Sequence, residues 1–173
     1  MKVDSSFDAF VEARFAALLR TAYLLTGDRQ HAEDLVQTAL LRAMRRWRQV
    51  RGAPEAYVRR VLINLSHDRI RSLVRRPREE PPQDLEALHG GDPGFDGVIE
   101  RRVVTLALAQ LPVRQRQVVV LRFFEDLPIE QTAELLGCST GTVKSYTSRA
   151  LSRLRELLAE DDTESLAEVP HAQ

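Results

Sequence analysis

The sequence predicts an all-α protein built from two small helical domains, and three observations carry that prediction. Apolar residues recur at spacings of three and four over most of the chain, and no stretch alternates as a half-buried strand would. Residues 77–97 interrupt the pattern with Pro77, Pro81, Pro82 and Pro93 and with Gly90, Gly91, Gly94 and Gly97, a composition that suits a linker without regular structure. Charge is laid out in blocks although the whole chain sums to zero. Residues 1–76 hold 15 basic against 8 acidic side chains, 77–100 hold 1 against 7, 101–159 hold 9 against 5, and 160–173 hold none against 5. Two basic blocks with an acidic segment between them and another behind suit two polyanion-binding modules, an acidic linker and an acidic tail. The expected bounds are 5–76, 77–97, 98–158 and 159–173, the last expected to be disordered.

Each helix has its own signals. Ser5 and Ser6 precede Phe7, and Ser5 with Asp8 resembles a capping box. Phe7, Phe10, Val11, Phe15, Leu18, Ala22 and Leu25 form a stripe that Gly27 ends. Asp28 can cap the second helix, where Ala32, Leu35, Val36, Ala39, Leu40, Ala43, Met44 and Trp47 mark one continuous apolar face. The opposite face carries Glu33, Asp34, Gln37, Thr38, Leu41 and Arg42, then Arg45, Arg46 and Arg48. Leu41 is apolar there with no core to fill, which suggests a covering partner.

Val50 to Glu55 reads as a loop, and Pro54 opens a third helix reaching about Val74. Its core side is Val58, Val61, Leu62, Leu65 and Leu73; Arg60, Asn64, His67 and Arg71 recur at spacings of four, three and four along one polar face. Positive charge beside an amide able to meet a base edge is nucleic-acid chemistry. Trp47 continues the apolar stripe, whereas Tyr57 fits either the core or a surface on which an unpaired base stacks.

Past the linker, Val98, Ile99, Val103, Leu106, Ala107 and Leu111 resume the helical pattern. Pro112 then opens a helix with Val118, Val119, Leu121 and Phe124. Pro128 enters a short helix with Ile129, Ala133 and Leu136, Gly137 ends it, and Ser139 can cap the next. In that last helix Val143, Thr147, Ala150, Leu151 and Leu154 share a face opposite Lys144, Ser145, Ser148, Arg149, Ser152 and Arg153. Two short helices around a tight glycine turn, the second presenting small polar and basic residues, is the helix-turn-helix pattern. Small side chains let backbone approach base edges, while Lys and Arg supply phosphate and guanine contacts.

Several classes fit poorly. Cys138 is a single cysteine, unable to form an internal disulfide, and suits packing in the turn. His31, His67, His89 and His171 are scattered and give no metal-ligand spacing, so neither metal nor cofactor is expected. Ser66, His67 and Asp68 are neighbours on a helix and point apart, so they cannot form a triad, and an enzyme is not expected. No charged-then-apolar leader opens the chain and its apolar runs are too short for a bilayer, so a cytoplasmic protein is expected.

Two helical DNA-binding candidates in this order resemble an extracytoplasmic-function sigma factor of the sigma-70 family, carrying regions two and four. The first half rests on Asp34-Leu35-Val36-Gln37, Ala43, Trp47, Asn64, Asp68 and Arg71. The second rests on Leu111-Pro112, Arg116, Leu121, Gly137, Gly141-Thr142-Val143-Lys144-Ser145 and Arg149-Ala150. Gln37-Thr38-Ala39-Leu40 and Arg59-Arg60-Val61-Leu62-Ile63-Asn64 look most like the actinobacterial SigE group. The resemblance implies a transcription initiation factor that binds core RNA polymerase, both its β′ clamp helices and its β subunit, together with promoter DNA. Asp34, Gln37, Thr38, Leu41 and Arg42 match the clamp-binding surface. The loop around Val50, Arg51 and Gly52, with Tyr57 and Asn64, matches the pocket for a flipped minus-ten base, and Arg60, His67 and Arg71 would hold the backbone beside it. Thr140 to Leu151 would read the minus-thirty-five element through Thr140, Thr142, Lys144, Ser145, Ser148 and Arg149, with Arg122 and Arg153 on phosphates. Control by an anti-sigma partner is common in the family, though no residue here specifies one. The competing reading is a one-component helix-turn-helix regulator whose first half senses a ligand or binds a partner; the basic polar face of the third helix argues against a sensing pocket.

Overall fold

The computed structural model describes the backbone of residues 5–74 and 98–167 and the side chains of residues 5–67 and 103–159. The expected linker, 77–97, and residues 168–173 lie outside the described residues. All regular structure among the described residues is helical: α1 Ser5–Thr26, α2 Arg29–Arg45, α3 Trp47–Val50 and α4 Pro54–Val74 form a first lobe. A second lobe comprises α5 Val98–Gln110, α6 Val113–Val119, a π-helical turn Val120–Phe124, α7 Ile129–Leu136 and α8 Thr140–Ala167. No helix among the described residues is long and apolar enough to cross a membrane.

In the first lobe the apolar stripe of α2 is buried as the spacing predicts, from Ala32 to Ala43, against Phe7, Leu18 and Ala22 of α1 and Val58, Val61 and Leu62 of α4. Fully burying a Leu or Val contributes about 1.5–3 kcal/mol, so this seam dominates the lobe's stability. Gly27 ends α1 at φ +72, a backbone region that side chains disfavour, and a Cβ there would also meet Ala109 Cβ at 3.2 Å. Asp28 caps α2 by accepting a hydrogen bond from the His31 N–H at 2.7 Å.

The structure corrects the expected outline in six places. The second helix stops at Arg45, because Arg46 turns to φ −114, ψ 16, and Trp47 starts the separate α3. That turn seats the Trp47 ring edge-on to Phe7, with centroids 5.1 Å apart, and lets its Nε1–H donate to Ser6 Oγ at 2.8 Å. Val50 therefore closes a helical turn instead of opening a loop. Phe15, Leu106 and Phe124, all included in the apolar pattern, are exposed at 39%, 44% and 43%. For Phe124 the cause is the π turn, where Glu125 N–H bonds Val120 O at 3.0 Å; the wider turn carries Phe123 and Phe124 off the buried side. Finally, α8 continues to Ala167, so residues 159–167 of the expected tail are helical. No Gly or Pro stands between Leu158 and Pro170 to stop it.

The two lobes are packed on each other. Leu25 of α1 and Ile63 of α4 are both 1% exposed, buried in one cluster with Val118, Leu121, Leu136 and Val143 of the second lobe. Polar bonds cross the same seam. Arg116, itself buried, donates to Leu25 O at 3.0 Å and to Ala109 O and Leu111 O at 2.6 and 3.3 Å. It thereby serves carbonyls at the C-terminal ends of α1 and α5, which lack helical partners and carry partial negative charge. Buried Gln117 donates through Nε2 to Ile63 O at 3.1 Å and Ser66 Oγ at 3.0 Å.

Candidate nucleic-acid interface

Three outward helix faces carry the expected site residues. On α8 the placement follows from local chemistry. Gly137 adopts φ +64 and lets Cys138 N–H reach Ala133 O at 3.0 Å, which closes α7 and reverses the chain. Ser139 Oγ then accepts from the Thr142 N–H at 3.1 Å and starts α8. Val143 and Ala150 are wholly buried on the inner face, so Thr140, Lys144, Ser148 and Arg149 are exposed on the outer one, with Thr142 and Ser145 half-buried beside them. The Thr142 hydroxyl is engaged with Ser139 Oγ at 2.9 Å. Arg153 lies further along the same face and pairs with Glu156 at 3.0 Å. Arg122 stands apart from this group: its guanidinium donates to Leu127 O, closing the segment that leads into α7.

The face of α4 is more complex. Arg60 and Asn64 are exposed and His67 is half-buried, all on one side, while Arg71 lies on the same helix beyond the described side chains. Arg51 and Gly52 are exposed in the turn before α4; Val50 and Tyr57 pack against the first lobe's core. The polar contacts of this region reach into the second lobe. Arg60 Nη2 donates to Glu134 Oε1 of α7 at 3.1 Å. Arg59 donates through Nε to Glu125 Oε2 at 2.9 Å and through Nη2 to Glu55 at 3.2 Å, and Thr21 donates to the other Glu125 oxygen. Arg14 completes the chain on Glu55 at 2.6 Å. Arg59 and Glu125 are only 16% and 18% exposed, so water screens this pair less than the exposed Arg60–Glu134 pair.

The third face is on α2. Asp34, Gln37, Leu41 and Arg42 are exposed and Thr38 is half-buried, and Leu41 stands 51% exposed amid polar neighbours. Sequence patterning did not single out Ile63, Ser66, Gln117, Glu125 or Glu134 for the seam between the lobes. The available signal was Ile63 itself, an apolar residue that belongs to neither the core side nor the polar face of α4.

Residues 10–76 match the family model described as Sigma-70 region 2, and residues 101–154 match that described as Sigma-70, region 4. The RNA polymerase sigma-E factor of Streptomyces coelicolor is 40% identical over 165 residues, spanning 93% of this chain and 90% of that protein. The ECF RNA polymerase sigma factor SigM of Mycobacterium tuberculosis is 33% identical over 155 residues, 88% of this chain and 77% of that one. The chain belongs to the extracytoplasmic-function sigma factors of the sigma-70 family. Among solved structures this sigma factor is similar to RpoE of Bartonella quintana, determined in complex with the anti-sigma factor NepR. The TM-score is 0.67 at 25% identity, over 90% of this chain and 98% of that one. CnrH, determined with the cytosolic domain of CnrY, shares the fold at a TM-score of 0.62 and 22% identity, over 90% and 88% of the two chains.

Proposed function

We propose that this sigma factor binds core RNA polymerase and directs it to specific promoters, with the three faces dividing the work. The α2 face around Leu41 docks on the β′ clamp helices, where burying a half-exposed leucine inside a polar rim gives an apolar anchor. Arg51, Gly52, Arg60, Asn64, His67 and Arg71 hold the melted minus-ten strand; a flipped base costs a few kcal/mol of unstacking, and an amide on its edge offsets part of that. The outer face of α8 enters the major groove at the minus-thirty-five element, with Thr140, Lys144, Ser145, Ser148 and Arg149 near base edges and Arg153 near phosphate. Arg122, whose guanidinium is held by Leu127 O, acts there by setting the approach of α7. The protein performs no chemistry of its own and works where the polymerase is, in the cytoplasm.

The observation that carries this reading is the α8 face: exposed Lys144, Ser148 and Arg149 above wholly buried Val143 and Ala150, launched from a glycine-ended, serine-capped turn. Run-off transcription by core polymerase on a promoter library, with and without the chain, tests it. Selective transcripts that need the chain are expected; transcription that stays unselective overturns the reading. Binding of the chain to duplex DNA alone, with none to core polymerase, would instead favour a one-component regulator. The fold shared with RpoE, a protein determined with its anti-sigma factor, also supports an anti-sigma partner for this chain.

A further inference from the structure

The turn between α3 and α4 carries exposed Arg51, Gly52 and Ala53. A Cβ at Gly52 would meet nothing within 4 Å, so no neighbouring side chain presses on the turn there, and its place is set by its two ends. In front, Val50 packs against the first lobe's core. Behind, Ala53 O accepts from the Tyr57 N–H at 3.3 Å, so the turn moves with the first turn of α4. That first turn is tied down by Glu55, whose two carboxylate oxygens are held separately. Arg14 of α1 pairs with Oε2 at 2.6 Å, and Arg59 donates to Oε1 at 3.2 Å. Arg59 shares the same Nη2 with Glu125 at 2.8 Å, so Arg14 makes the shorter contact with Glu55. Beside Glu55 lies a small cavity of about 20 Å³, lined also by Ala17, Leu18, Thr21 and Leu62, so packing alone does not fix the carboxylate.

The geometry points to Arg14 as a positioning residue for minus-ten recognition: through Glu55 it holds the first turn of α4, and with it the turn 51–53, in register with Asn64. Asn64 stands nine positions along α4 from Glu55, about two and a half helical turns, and so points the opposite way. Arg14 therefore meets no base that Asn64 holds and acts on it by placement alone. Recognition sites need their members held within about 0.5 Å, so a loosened turn lowers discrimination even where the fold is intact. Arg14 and Glu55 both belong to the first lobe, and the inference rests on the reading of α4 and its preceding turn as the minus-ten surface.

The test is run-off transcription by core polymerase with the full chain, on a promoter library varied at the minus-ten and minus-thirty-five elements. Arg14→Gln is compared with wild type, Arg14→Lys, Glu55→Gln and the double variant R14Q/E55Q. Arg14→Gln is expected to lower the preference for the favoured base roughly twofold to fivefold at the minus-ten position that the pocket reads, the scale of an exposed ion pair. Minus-thirty-five selectivity and affinity for core polymerase should stay as in wild type, and thermal unfolding should change little. Arg14→Lys should restore most of the lost preference. R14Q/E55Q should lose no more than Glu55→Gln alone, since both break the same pair. Unchanged minus-ten preference in Arg14→Gln overturns the assignment, as does an equal loss in Arg14→Lys or an additive loss in the double variant. Equal loss on every promoter sequence overturns it as well, because Arg14 would then be a phosphate contact. If Asn64→Ala weakens minus-ten selectivity while Arg14→Gln does not, the positioning role alone fails. If the wild-type chain yields no selective transcripts, the reading of α4 fails and takes the inference with it.

Discussion

The outer faces of α4 and α8 carry similar chemistry, arginine beside small polar or amide side chains, yet they stand in different surroundings. On α8 Lys144, Ser148 and Arg149 are exposed, and the helix is held from beneath by Val143 and Ala150 of its own lobe. On α4 Arg60 meets Glu134 of the other lobe, and Ile63, next to Asn64, is buried against that lobe. The face proposed to read duplex DNA is open to it. The face proposed to hold melted strand is engaged within the chain through Arg60 and Glu134. Similar residue types thus have different availability, set by tertiary contact and not by composition.

The largest expected effect breaks the contrast at its base. Arg116→Leu removes the guanidinium that serves three carbonyls at the ends of α1 and α5, leaving them buried without it, and should cost about 3 kcal/mol or more in urea unfolding of the full chain. A loss below about 1 kcal/mol would mean that the seam is not organised around Arg116. Leu41→Asp lies outside both faces and should weaken binding to core polymerase by about 2 kcal/mol in a competition assay, without lowering stability, because the leucine is already half-exposed. Unchanged affinity would remove the α2 face from the account. Arg149→Ala should cost about 1–3 kcal/mol at one position of the minus-thirty-five element. Selectivity unchanged at every position would show that Arg149 reads no base. The smallest effect sharpens the comparison: Ser139→Ala should destabilise the second lobe by about 1 kcal/mol through loss of the α8 cap, with thermal unfolding as the readout. A change nearer zero would place the start of α8 under packing control.

What the sequence made legible was local. The stripe from Ala32 to Ala43, the Asp28 cap, the left-handed Gly137 and the Ser139 cap each depend on residues within about one or two helical turns, and each is where spacing placed it. The three candidate faces were legible for the same reason, since helical period alone decides which side chains point together. Arg46 was not, because an arginine run reads as helix until the burial of Trp47 between Phe7 and Phe10 turns the chain. The π turn at Val120–Phe124 breaks the period without a Gly or Pro to announce it. Gln117, Ser66 and Glu125 look like ordinary surface residues until partners 51 to 104 positions away satisfy them, and no local pattern encodes such pairings.

Thymine reactivity to permanganate at a promoter selected from the library tests the division of labour most directly. Core polymerase is tested with wild-type chain, with Asn64→Ala and with Arg149→Ala. The account predicts that Asn64→Ala leaves polymerase bound but suppresses reactivity across the minus-ten element, whereas Arg149→Ala lowers occupancy and reactivity together. Equal loss of binding and opening in both variants would contradict it.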